Sequence, residues 1–87
     1  MSQSLEKFVF FLHQTRGGVR VVPDREGEEF ASSAQARSEA VILARQQMAQ
    51  TLERHGYIDL GCSFEIADEA GATIDTVTFA SAVDVRR

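Results

Sequence analysis

One cysteine and one proline occur in these 87 residues, and no apolar run approaches the roughly 20 residues needed to span a bilayer. Each shortage excludes something. Cys62 has no partner for an internal disulfide and no second cysteine for a structural zinc cluster. Met1 to Lys7 lacks an apolar core followed by a small-residue cleavage site, so nothing suggests secretion or a membrane, and a cytoplasmic protein is expected. Positive charge is also scarce. Nine Lys and Arg against thirteen Asp and Glu leave a net charge of −4, with a pI near 5.0. Such a chain repels a phosphate backbone, and its basic residues are scattered, with only Arg86 and Arg87 adjacent; a nucleic-acid partner is not expected. The chain also lacks a G-x-S-x-G elbow, a phosphate-cradling G-x-x-x-x-G-K and a G-x-G-x-x-G turn, so no cofactor is expected.

What remains is ordinary for a folded protein: 44% apolar and 25% charged residues. The length fits one domain, ordered from about residue 6 to about residue 83, that buries only about 60% of the surface of its unfolded chain. Self-association would add to so thin a margin.

"EKFVFFLH", Glu6 to His13, is rich in β-formers. Alternation places Phe8, Phe10 and Leu12 on one face and Lys7, Val9, Phe11 and His13 on the other, so both faces carry apolar weight. Gly17 and Gly18 supply a turn, and Val19 to Val22 return as the second arm of a hairpin that ends at Pro23. From Ser32 the period changes. Ser32 and Gln35 have the spacing of a capping box, and Gly56 reads as a C-terminal stop, which bounds a helix from about Ser33 to about His55, about 34 Å long. Ala36, Ala40, Val41, Ala44, Met48 and Leu52 share one face of it, Ile42 projects nearly opposite, and Leu43 lies on the border.

"CSFEIADEAGATIDTVTF" reads as a second hairpin, with Cys62, Phe64 and Ile66 inward and "DEAG", Asp68 to Gly71, as its turn. Ile74 is out of phase with Val77 and Phe79, which one extra residue in a bulge explains. The tail adds a short extended piece through Val83 and Val85. The expected fold is α+β in the order ββαββ, a four-stranded antiparallel sheet with one long helix on one face.

The segments "KFVFFL" with the glycine pair, "DREGEEF", "ARSEAV", "DEAG" and "TFASAV" resemble, in order and spacing, a family of small bacterial domains of unknown function. The resemblance runs from about Lys7 to Val83 and is carried most by Asp24, Glu26, Gly27 and Glu29, then by Ala36, Arg37, Glu39 and Ala40. It implies a compact bacterial domain with no assigned chemistry. One place departs from the family, which often has a polar residue, commonly histidine or aspartate, just after the aromatic pair of the first strand. Here that place falls on Phe11 or, with a shifted register, near His13.

The acidic stretch Asp24, Glu26, Glu28 and Glu29 beside Pro23 raises three readings: a metal site, a docking surface for a basic partner, or a turn leading into the helix. The alternation of Asp24, Glu26 and Glu28 does not continue into a calcium loop. Glu28 and Glu29 fit a place just ahead of the helix N-terminus, where negative charge is stabilised, so the turn is preferred and no metal is expected. Cys62 shares the phase of Phe64 and reads as a small core residue, and His55 sits where a cation suits the end of a helix.

A single helix covers one face of a sheet, which leaves Val9, Phe11 and His13 on the other. The preferred function is therefore a noncatalytic interaction or regulatory module. It would form a homodimer, or meet a protein partner, through the open face or an edge strand, with Ile42 as a further contact. The alternatives are a small metal-dependent or hydrolytic enzyme using Asp24, Glu26 and His13, and a nucleic-acid binder.

Overall fold

The computed structural model describes residues 5–21, 27–84 and 86. Strand β1 (Glu6–Gln14) buries Phe8, Phe10 and Leu12 and leaves Val9, Phe11 and His13 half-buried on its other side. Gly18, at φ 70°, takes the turn conformation that lets β2 (Gly18–Val21) fold back antiparallel, Gln14 facing Gly18 and Phe11 facing Val21.

The return strand then resumes as β3 (Glu28–Phe30), which pairs with the first half of β1, Phe8 facing Glu28 and Glu6 facing Phe30. Phe8 lies three residues before Phe11, yet Glu28 lies seven after Val21, so the registers of β2 and β3 on β1 differ by four residues. This corrects the placement of Glu28 and Glu29 at the helix N-terminus. They are strand residues, with Glu29 across from Lys7, and the sheet has five strands rather than four. Phe30 repays the pairing by packing its ring 5.9 Å from those of both Phe8 and Phe10.

Helix α1 (Ser33–His55) has the predicted limits. The Ser32 hydroxyl accepts from the Gln35 amide at 3.2 Å, while the Gln35 side chain accepts from the Ala31 amide at 2.9 Å. Gly56, at φ 77°, closes the other end by donating to the Leu52 carbonyl. The buried stripe is Ala36, Ala40, Ala44 and Met48. Three alanines at four-residue spacing keep the stripe thin, so the helix backbone approaches the sheet closely. Leu52, expected on this stripe, is instead 49% exposed, and the buried stripe ends at Met48.

β4 (Ser63–Asp68) pairs with β1 and β5 (Thr73–Thr78) pairs with β4, giving the order β2-β1-β4-β5 with β3 on the β2 side of β1. The Asp68–Gly71 turn closes through the Gly71 amide donating to the Asp68 carbonyl and the Ala72 amide donating to the Asp68 carboxylate. The predicted bulge is present. Ile66 faces Asp75 but Ala67 faces Thr73, which leaves Ile74 as the extra residue.

Phe79 does not continue β5. Thr78 caps a four-residue helix, α2 (Phe79–Ala82), by accepting from the Ser81 amide, and α2 buries Phe79 and Ala82. Val83 is extended after it, as expected, and Val85 lies outside the described residues. Phe8, Phe10, Leu12, Phe64, Ile66 and Val77 of the sheet meet the α1 stripe, Phe79 and Ala82 in one core, with Cys62 packed at its margin. Among the described residues no polar or charged one is buried.

Candidate functional site

The helix-free face of the sheet is composed of the residues that alternate with the core. β1 contributes Lys7, Val9, Phe11 and His13, and β4 sets Ala67 beside Val9, Glu65 beside Phe11 and Ser63 beside His13. Thr73 and Thr76 continue the rows on β5, and Val19, 56% exposed, lies beside His13 on β2. Ala67 is 2% exposed although it belongs to this face and not to the core. Val9 and Phe11 are half-buried, and no element crosses above them among the described residues.

One polar line crosses this apolar centre. His13 Nε2 lies 2.9 Å from Glu65 Oε1, and the Thr73 hydroxyl donates to Glu65 Oε2 at 2.8 Å. The order matters chemically. A nucleophile is activated when the base stands between the hydroxyl and the carboxylate, whereas here the carboxylate stands between histidine and threonine. The line therefore fixes Glu65 and His13 in place and does not prepare Thr73 for attack.

Of the residues singled out in the sequence, Val9, Phe11 and His13 share this face. Ile42 does not join them. It is 45% exposed on the outer side of α1, and both helix and sheet separate it from Phe11. Glu28 is half-buried in β3 and Glu29 is exposed there. Asp24 and Glu26 lie outside the described residues. No group of three or more His, Cys, Asp and Glu side chains suited to a metal occurs among the described residues.

A second concavity lies on the opposite side of the sheet, at the end where the β1–β2 turn meets the segment after α1. It is a cleft of about 830 Å³. Leu12, Met48, Cys62 and Phe79 line it from the core, and Gln14, Thr15, Arg16, Gln47, Thr51, Tyr57, Ile58 and Asp59 surround it. Asp59 ties its two walls together, since one carboxylate oxygen accepts from the Thr15 hydroxyl and the other from the Gly61 amide at 2.9 Å. Those donors, Thr15 first, hold the Asp59 carboxyl below its ordinary range. Gly61 is required for the closure, because a Cβ there would collide with the Thr15 methyl. Burial, assisted by the Asp59 charge, pushes the Cys62 thiol up. A thiol so placed is a poor nucleophile at neutral pH.

The sequence model of a family described as a domain of unknown function (DUF6894) matches residues 8–80. The chain belongs to this family. The matched span begins at Phe8 and ends inside α2, so this family domain holds the helix, the cleft and all of the sheet but the first two residues of β1. No curated protein and no solved structure matches the chain. The family resemblance in the sequence is thus correct, and it brings no activity with it.

Reasoning from the sequence did not find Glu65, Thr73, Asp59 or Tyr57. Glu65 was legible only as an outward residue, because its partners are 52 residues before it and 8 after it. For the linker a signal existed in "YIDL", Tyr57 to Leu60, where three large apolar residues directly follow the Gly56 cap. All three are more than 40% exposed.

Proposed function

We propose that this domain is a noncatalytic interaction module that pairs with a second copy of itself through the helix-free face of its sheet. The observation that carries the reading is the set of Val9 and Phe11 side chains at the centre of that face, with nothing above them among the described residues. An apolar centre of this kind, framed by the polar Lys7, Glu65 and His13, has the anatomy of a protein contact. A two-fold pair brings the same patch against itself, so the donors of one copy meet the Glu65 of the other.

The sheet edges are poorer candidates. β5 carries the Ile74 bulge, an Asp75 turned toward the helix side, and a guanidinium above it. Arg37 donates to Asp75 at 2.8 Å and to the Thr76 carbonyl at 3.3 Å. Bulges and inward charges are the usual means by which a sheet discourages strand addition. The opposite edge is divided between β2 and β3, each of four residues or fewer. Strand addition therefore has little continuous backbone to use on either side.

Light scattering across a concentration series tests the proposal. The wild type is expected to approach twice the monomer mass at high micromolar concentration and to dissociate on dilution. Phe11→Ser is expected to remain monomeric with an unchanged far-ultraviolet spectrum, while Ile42→Ser on the outer helix behaves as wild type. A wild-type protein that stays monomeric throughout defeats the reading.

A further inference from the structure

The cleft on the helix side of the sheet does not take part in the proposed self-association. Its volume of about 830 Å³ falls within the roughly 300–1,000 Å³ of small-molecule sites. Its floor is apolar, and its walls are mainly polar. Met48 and Phe79 form the floor, each almost wholly buried.

Two charges line the cleft, the carboxylate of Asp59 and the guanidinium of Arg16; the Arg16 charge helps to hold Asp59 low, but the two make no direct ion pair. Asp59 is held rigidly between the β1–β2 turn and the Gly61 backbone, and each of its oxygens retains acceptor capacity after one bond. Arg16 stands in the exposed turn at the mouth. One fixed anion and one exposed cation favour a ligand that carries both signs. A simple anion would meet the carboxylate and the net charge of −4, and a simple cation would meet the guanidinium.

We infer that the cleft binds a small apolar zwitterion, of the class of an apolar α-amino acid, with its ammonium group on Asp59, its carboxylate on Arg16 and its side chain on Met48 and Phe79. The Thr15–Asp59 bond pre-organises the site, because the anion is already in position before the ligand arrives. This inference is independent of the dimer, since the cleft and Phe11 lie on opposite sides of the sheet.

The test is a titration of the full chain with L-phenylalanine, followed through backbone amide resonances and through the rate of Cys62 alkylation. Binding is expected to shift the amides of Thr15, Gly61 and Cys62 and to slow alkylation of Cys62, while the amides of Val9 and Phe11 stay unchanged. Phenethylamine and 3-phenylpropionate each lack one charge and are expected to bind about tenfold or more weakly, the loss that follows from removing one charge-assisted hydrogen bond. Arg16→Gln, in an exposed turn that the core does not depend on, is expected to lower the affinity for L-phenylalanine similarly and to leave that for phenethylamine unchanged. Asp59→Asn gives the converse result if the turn keeps its place. The inference is overturned if L-phenylalanine leaves these resonances unmoved, or if phenethylamine binds as tightly as L-phenylalanine.

Discussion

The two faces of the sheet are made from alternate residues of the same strands, but they are completed differently. On the covered face Phe10 stands beside Ile66, both 0% exposed, and Ala40 and Ala44 of α1 are likewise buried in that core. On the open face Phe11 stands beside Glu65, and its partners beyond the sheet are absent among the described residues. A strand covered on one side usually alternates apolar with polar, whereas one covered on both sides reads as a continuous apolar run. "FVFFL" is of the second kind, in a sheet with a helix of the first. On β1 the two faces are therefore both apolar and differ in what covers them, whereas β4 and β5 turn polar residues to the open face.

The largest effect that separates the faces is expected from truncating neighbouring rings. Phe10→Ala should cost about 3–5 kcal/mol, a large part of the roughly 5–15 kcal/mol available to a domain. Phe11→Ala should cost the dilute monomer only about 1 kcal/mol, as for partly buried apolar area. Urea denaturation at low protein concentration measures both, and equal losses would break the distinction.

Next in size is the close approach of the helix. Ala40→Leu adds bulk where the helix meets the sheet and should cost about 1–3 kcal/mol. The same enlargement on the outer side, Ala49→Leu, at an exposed position, should change stability by no more than about 0.5 kcal/mol. Thermal unfolding of the pair checks whether the thin alanine stripe governs packing.

A smaller effect is expected on the open face. Thr73→Val removes one hydrogen bond to Glu65 in a partly solvated setting and should cost under about 1 kcal/mol. The chemical shifts of His13 and Phe11 should move with it, since both neighbour Glu65. Unchanged shifts would mean that the polar line does not act as one unit.

The smallest effect depends on pH. Asp59 titrates below the ordinary aspartate value of 3.8 because the folded state donates hydrogen bonds to its carboxylate. Its contribution to stability is thus fully present above that value and is lost as pH falls through the lowered folded value. Thr15→Val removes the leading donor, and the Asp59 titration followed by carboxyl carbon shifts should move up toward 3.8. No change would place the cause elsewhere.

The sequence made the covered face legible almost residue by residue. Its signals are local: the Ser32 cap, the Gly56 stop, the alanine stripe, the Asp68–Gly71 turn and the Ile74 phase slip each act over a few residues. β3 was missed because Glu28, Glu29 and Phe30 have no strand period of their own, and they are held extended by pairing with Glu6 to Phe8. The same competition explains Phe79, which continues the β5 alternation in sequence but is turned into α2 by the Thr78 cap. The open face was legible as a surface, through Val9 and Phe11, but its polar line was not, because it joins three strands. The cleft was hidden for the same reason, since its walls come from the β1–β2 turn, α1 and the linker.

What touches Phe11 when two chains meet decides whether the open face is the contact. Mixing isotopically labelled with unlabelled protein and recording only contacts between copies answers this. The proposed pairing predicts cross-peaks from the Phe11 ring and the Val9 methyls to the same face of the other copy. Cross-peaks confined to Tyr57, Ile58 or the outer side of α1, or none at millimolar concentration, would contradict it.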